Sequence, residues 1–349
     1  MSLTVLVVDD SALMRKALKR ILVDAGLTVH TARNGLDALD EIPRVRPDVV
    51  TLDVNMPEMD GLTCLSQIMQ RHPYPVVMVS SLTDRNALAT LEALELGAVD
   101  YVAKPGGTVS LNIEDVATEL VTKVRGAASA KVNRVAGLRD RVAAQRRQPP
   151  APASADQRRV VDLVVVGSST GGPPLLSRLL PALPASFSAP VVVAQHIPAS
   201  FTAALATRLD DICHLRVQEV TRTMPVTRGN IYLARGNADV VVARRGGTLV
   251  VQSVPSSDEY RWHPSVDRLV ASAHRHLNAE RLLCVLLTGM GNDGAAEMAA
   301  VRSAGGRTIA ESEETAVVWG MPGELAKCGG ATAVLPGPSI SDRLIDWVR

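Results

Sequence analysis

Two stretches of this chain alternate short β-branched runs with amphipathic helical patterns, and a polar stretch lies between them. In the first, Thr4 to Val8, Thr28 to Thr31, Asp48 to Leu52, Pro75 to Val79 and Val99 to Ala103 are short β-branched runs of strand length. Helical periodicity follows each of them, which predicts five strand–helix units and a parallel doubly wound sheet over residues 1–125. In the second, residues 160–349, strands are expected over Val161 to Val166, Pro190 to Ala194 and Arg281 to Leu287. Gly229 to Val251, with Gly246-Gly247 in its middle, reads as β-hairpin material. The expectation is a second α/β domain, doubly wound and mainly parallel, with a hairpin insertion. Residues 126–159 are rich in Ala, Arg, Gln and Pro and hold few aliphatic residues after Leu138, the composition of a basic linker.

Composition sharpens this only a little. A length of 349 residues suits about two domains. With 46% hydrophobic residues and a net charge of +1, nothing marks a nucleic-acid binder. Cys64, Cys213, Cys284 and Cys328 lack metal spacing and read as thiols of a reducing compartment. No charged leader and no long apolar span stand out, so a cytoplasmic protein without membrane insertion is expected. No internal repeat is evident.

The ends of the first set of strands carry chemistry. Asp9 and Asp10 follow the first strand, Asp53 the third, Ser80 the fourth and Lys104-Pro105 the fifth. Sheets of this kind bind ligands at the carboxyl ends of their strands. Converging carboxylates repel unless a cation neutralises them, and hard oxygen ligands suit Mg²⁺. Beside such an ion, Lys104 and Ser80 are the groups that support a phosphoryl group on Asp53. The plain alternative for any single Asp at a strand end is a helix N-cap.

In the second domain, Gly167-Ser168-Ser169-Thr170-Gly171-Gly172 closes a strand and precedes a helical pattern. Gly167-x-Ser169-x-Gly171 has the spacing of a nucleophile elbow, with the following N–H groups available to an oxyanion. A glycine-rich turn without chemistry has the same spacing, whereas a phosphate loop is excluded by Pro173 and Pro174. Ser169 needs a base and the base needs a carboxylate. His196 and Asp293 fall just past two other strands, on the same expected edge. Gly289-x-Gly291-x-x-Gly294 is also a literal dinucleotide fingerprint, with Glu311, Glu313 and Glu314 about 20 residues on. Against that reading, Asp293 sets negative charge where a pyrophosphate would lie.

The first domain resembles response-regulator receiver domains through Asp9-Asp10, Asp53-Val54-Asn55-Met56-Pro57, Asp60-Gly61, Ser80 and Lys104-Pro105. That resemblance implies a flavodoxin-like fold, phosphorylation of Asp53 by a histidine kinase, and Mg²⁺ held by Asp10, Asp53 and the Asn55 carbonyl, with Asp9 beside them. It also implies that Ser80 and Tyr101 move on phosphorylation. The second domain resembles the chemotaxis protein-glutamate methylesterase family, CheB. The resemblance rests on Gly167 to Gly172, Gln195-His196-Ile197-Pro198, Pro264-Ser265-Val266-Asp267, Leu287 to Gly294 and Gly320-Met321-Pro322. It implies Ser169 as nucleophile, His196 as base and Asp293 as its orienter, with Thr170 and Met290 near the oxyanion. The implied reaction is hydrolysis of glutamyl methyl esters, and deamidation of glutamines, on chemoreceptors, by a monomer that needs no cofactor for the hydrolysis. It further implies an unphosphorylated receiver packed over the crevice. His263 stands where that family commonly has an arginine and Glu311 where it has a glutamine, so both are expected to line the substrate groove. A receptor-binding module without turnover and a nucleotide-dependent enzyme remain the alternatives.

Overall fold

The structure is a computed structural model that describes residues 2–81, 84–104, 113–130 and 160–348. The chain divides into two compact units, residues 1–147 and 148–349. Pro105 and linker residues 131–159 lie outside the described residues.

The first unit runs β1 (Thr4–Val8), α1 (Ala12–Asp24), β2 (Thr28–Ala32), α2 (Gly35–Val45), β3 (Val49–Asp53), α3 (Gly61–Arg71), β4 (Val76–Ser80), α4 (Asp84–Glu95), β5 (Asp100–Ala103) and α5 (Ile113–Ala128). Its sheet is parallel throughout, in the order β2-β1-β3-β4-β5. Strands β3 and β4 are buried along their whole length, which is why they read as unbroken apolar runs. Ser11, Asn34 and Asp60 cap α1, α2 and α3 through side-chain oxygens that accept helix N–H groups, each contributing about 1 kcal/mol. The last helix continues past Arg125, where the linker was expected to begin, because Leu120, Val124 and Ala127 carry its buried face onward.

The second unit comprises β6 (Leu163–Ser168), α6 (Gly172–Leu179), β7 (Val191–Gln195), α7 (Ala199–Ile212), β8 (Arg216–Val220), β9 (Met224–Pro225), β10 (Asn230–Ala234), β11 (Asp239–Arg245), β12 (Thr248–Val254), α8 (Val266–His276), β13 (Leu282–Leu286), α9 (Ala295–Ser303), β14 (Arg307–Glu311), α10 (Met321–Lys327), β15 (Ala333–Leu335) and α11 (Gly337–Trp347). Seven strands form a parallel sheet, β15-β14-β13-β6-β7-β10-β8, and β11-β12-β9 form a separate antiparallel sheet. The hairpin expected over Gly229 to Val251 is therefore smaller than its sequence suggests. Residues 230–234 pair in parallel with β7 and β8, and only β11 and β12 form the hairpin.

Strand β6 lies at the centre, with β7 on one side and β13 on the other. From β6 the chain runs to β7 on one side, and from the adjacent β13 it runs to β14 on the other. That makes their carboxyl ends a topological switch point, where an open α/β sheet leaves a crevice.

Candidate active and phosphoacceptor sites

Three loops leave that switch point. Register places Ser168 opposite Gln195 and Gly167 opposite Leu286, so Ser169, His196 and the loop to Asp293 emerge side by side. Gly171 adopts φ +77 at the entry to α6, a backbone conformation that a side chain would strain, and the turn stays tight. The two adjacent serines then separate in character. Ser168 is fully buried and donates to Gln195 Oε1 at 2.6 Å, whereas Ser169 is half-buried and open to a ligand.

His196 Nε2 lies 2.8 Å from Asp293 Oδ2. Asp293 is buried and saturated with donors: Ser265 Oγ at 3.1 Å, Val266 N at 2.7 Å and Asp267 N at 2.9 Å. These donors form the N-terminus of α8, and Ser265 also caps that helix by accepting from Arg268 N. Burial alone would raise Asp293. The hydrogen bond and charge of His196, with the α8 N–H groups, outweigh it and hold the carboxyl below its ordinary value. The neighbouring Asp267 is pushed up to about 6, first by burial and then by the charge of Asp293. Of this carboxyl pair Asp267 is therefore the first to take up a proton as pH falls, and Asp293 stays ionised opposite the imidazole.

His196 Nδ1 is buried without a hydrogen-bond partner, and among the described residues no bond joins Ser169 Oγ to the ring. Trp262 stacks on the imidazole, with centroids 6.0 Å apart and planes 6° from parallel. Of the N–H groups after Ser169, that of Gly172 is occupied by the Ser169 carbonyl. Thr170 is buried, with its carbonyl accepting from Thr288 Oγ1 at 2.8 Å; Met290 is half-buried on the loop leading to Asp293.

One expectation fails here. Glu311 does not line a groove: it is 1% exposed and accepts from Thr288 N at 2.8 Å and Thr315 Oγ1 at 2.9 Å. Burial pushes its carboxyl up against those bonds. The same burial removes Glu311 from any ribose, while Glu313 and Glu314 are exposed. His263 pairs with buried Asp239, Nδ1 to Oδ1 at 3.1 Å, in a cluster completed by Arg268 and the Ser265 N–H.

Residues that the sequence reading did not single out are Gln195 as a side chain, Ser265, Asp267 and Trp262. Ser265 carried a signal, a serine just ahead of a helical pattern. Trp262 carried only its rarity, in a chain with 3% aromatic residues.

In the first unit, Asp9, Asp10 and Asp53 bring three carboxylate oxygens within 4.8 Å of one another. Lys104 Nζ lies 2.7 Å from both Asp9 and Asp53. Burial pushes Asp53 up, against the opposing bond and charge of Lys104. Burial would lower Lys104, but its two carboxylates outweigh that and hold it above the usual lysine value. Asn55 N donates to Asp53 Oδ1 at 3.4 Å, and its side-chain amide donates to Asn86 Oδ1 at 3.0 Å. Ser80 and Tyr101 are buried on neighbouring strands, and Lys123 Nζ sits 4.6 Å above the Tyr101 ring. Among the described residues, no helix is long and apolar enough to cross a membrane.

Residues 164–344 match the family model described as CheB methylesterase, and residues 5–113 match that of the response regulator receiver domain. The chain is 52% identical over 354 residues to a Rhodospirillum rubrum protein named protein-glutamate methylesterase/protein-glutamine glutaminase 3, covering 99% of this chain and 96% of that one. It is likewise 52% identical over 355 residues to protein-glutamate methylesterase/protein-glutamine glutaminase 2 of Rhodopseudomonas palustris, covering 98% and 97%. Among solved structures, the catalytic domain of Thermotoga maritima CheB methylesterase matches with a TM-score of 0.51 and 38% identity, over 54% of this chain and 99% of that domain.

Proposed function

The chain belongs to the CheB methylesterase family, with a response-regulator receiver domain ahead of the hydrolase, and we propose that Ser169, His196 and Asp293 carry its chemistry. The protein is a protein-glutamate methylesterase and protein-glutamine glutaminase that serves adaptation in chemotaxis. Its substrates in this reading are glutamyl methyl esters and glutamines on chemoreceptors. A histidine kinase supplies the phosphoryl group to Asp53, and the enzyme works as a cytoplasmic monomer.

The observation that carries the triad is the buried Asp293–His196 pair one strand away from an accessible serine. With Nε2–H committed to Asp293, the base is the lone pair of His196 Nδ1. It takes the Ser169 proton as Oγ attacks the ester carbonyl. The ring returns that proton to the leaving group, releasing methanol from an ester or ammonia from an amide. Water then attacks the acyl-enzyme with the imidazole again as base, giving glutamate and free Ser169. Asp293 holds one tautomer and stabilises the imidazolium. Thr170 and Met290 border the space for the oxyanion. Among the described residues of the hydrolase no cluster of metal ligands accompanies the triad.

The acidic cluster fits Mg²⁺ by its chemistry, three hard carboxylate oxygens within reach of one ion. Asp9, Asp10 and Asp53, with the Asn55 carbonyl, would hold it, and when bound it neutralises charge on a phosphoryl group. Lys104 supplies a second positive charge to the same oxygens, and Ser80 a hydroxyl. Phosphorylation of Asp53 raises hydrolase activity through a shift between receiver conformations in which Ser80 and Tyr101 take part.

Methanol release from methylated receptor membranes, with and without a small-molecule phosphodonor and Mg²⁺, tests both halves. Stimulated release is expected from the native chain, none from Ser169→Ala, and unstimulated basal release from Asp53→Ala. Turnover surviving in Ser169→Ala would remove that serine from the reaction.

A further inference from the structure

Outside the triad, the segment between β12 and α8 brings two large side chains to the imidazole. Trp262 lies face to face with His196, and the guanidinium carbon of Arg261 sits 5.3 Å from the centre of the indole, in cation–π contact. Through these two contacts, of 6.0 and 5.3 Å, the indole carries a positive charge in the neighbourhood of the imidazole. Arg261 is exposed, and among the described residues it enters no ion pair and donates no hydrogen bond. Arg268, seven positions on, differs: it is committed to Asp239 Oδ2 at 2.6 Å and to the Pro255 carbonyl. The cation–π contact holds the Arg261 guanidinium against the indole, and among the described residues none of its five N–H donors is taken by another group.

The reaction itself says what those donors would meet. Each turnover converts a neutral ester or amide into a carboxylate, so a substrate helix with several modifiable positions accumulates carboxylates beside those still to be processed. On a helix, residues three or four apart lie about 5–6 Å apart on one face. With the length of both side chains added to that spacing, a cation held on the indole beside the imidazole can meet a carboxylate about one turn from the scissile ester.

We propose that Arg261, held on Trp262 beside His196, is a specificity residue that binds a carboxylate about one helical turn from the ester being cleaved. This rests on the esterase reading above. The enzyme then recognises its own earlier products on the same helix, and hydrolysis at one position favours the next.

The test compares the full-length native chain with Arg261→Ala and Arg261→Lys on two substrates, methylated receptor membranes and a small neutral aryl ester. For Arg261→Ala, kcat/KM on receptor is expected to fall at least fivefold more than on the aryl ester, chiefly through KM. Its dependence on salt should flatten, because a screened charge pair has been removed. Arg261→Lys should recover part of the receptor activity, since charge returns without the planar fork. Equal losses on both substrates, or no loss on either, would overturn the proposal while the esterase stands. A native chain that releases no methanol would overturn the esterase reading and this proposal with it.

Discussion

Ser168 Oγ donates to Gln195 Oε1 at 2.6 Å, and this bond turns the other end of the amide toward the main chain of the active site. Gln195 Nε2 then donates to the carbonyls of Ser169 at 2.9 Å and His196 at 3.1 Å. One buried side chain thereby ties together the strand ends that carry Ser169 and His196, the proposed nucleophile and base. Gln195→Leu, close in shape but unable to bond, should lower kcat roughly 10- to 100-fold, because small misplacements of reacting groups cost rates of that order. KM should change little. Steady-state methanol release checks this, and an unchanged kcat would show that the clamp is dispensable.

The Asp267–Asp293 pair predicts a pH dependence of stability. Asp267, raised to about 6, favours the fold while it is protonated. Its contribution is complete below the unfolded value of about 3.9 and is lost as pH rises through about 6. Asp293, held low, acts in the opposite sense: its contribution is present at neutral pH and lost on acidification through its folded value. Asp267→Asn should therefore melt higher than the native chain above pH 6 and show no such gain near pH 4. Melting curves followed by circular dichroism across that window decide it, and a difference independent of pH would place the effect elsewhere.

The carboxylate cluster predicts linkage to a divalent ion. Mg²⁺ at a hundredfold excess over its dissociation constant should stabilise the receiver by about 2.7 kcal/mol. Asp10→Asn removes the exposed carboxylate of the three and should abolish most of that gain. Thermal shift against Mg²⁺ concentration reads it directly. Equal shifts in both proteins would mean that the ion binds at another place.

Gly61 opens α3 where the helix passes over the end of β3, and a Cβ there would overlap the Asp53 carbonyl oxygen. Since that atom is backbone, no rotamer relieves the clash. Gly61→Ala should cost about 1–3 kcal/mol, the range for overpacking, and should slow phosphorylation of Asp53 by small-molecule donors. Urea unfolding and the phosphorylation rate test the two parts. Native-like values for both would show that the loop yields freely.

How much of this was legible beforehand depended on the polarity of each element. Receiver strands β1, β3 and β4 announced themselves because parallel strands buried on both faces have little polar side to show, whereas the exposed edge strand β2 showed through its β-branched residues. Strand β14 hid, although every one of its residues is buried, since Arg307 and Glu311 stand at its two ends. Their charges are met by the Trp347 carbonyl and the Thr288 N–H, partners remote in sequence. Strand β8 hid behind Arg216, Gln218 and Glu219, polar residues of an edge strand. Ser169, His196 and Asp293, the residues proposed for the triad, were read from their place after strands, whereas the Gln195 bonds, the α8 N-terminus beneath Asp293 and the Trp262 stack need three dimensions.

The antiparallel sheet of β9, β11 and β12 stands apart from the seven-stranded sheet that aligns Ser169, His196 and Asp293. Chain added to or trimmed from the β11–β12 turn has no means of shifting one catalytic strand against another. The segment that delivers Arg261 and Trp262 follows this hairpin, so the face proposed to meet the substrate hangs from a different sheet than the one that aligns Ser169, His196 and Asp293. A graft of residues 239–262 between relatives should accordingly exchange receptor preference and leave turnover on small esters to its original owner.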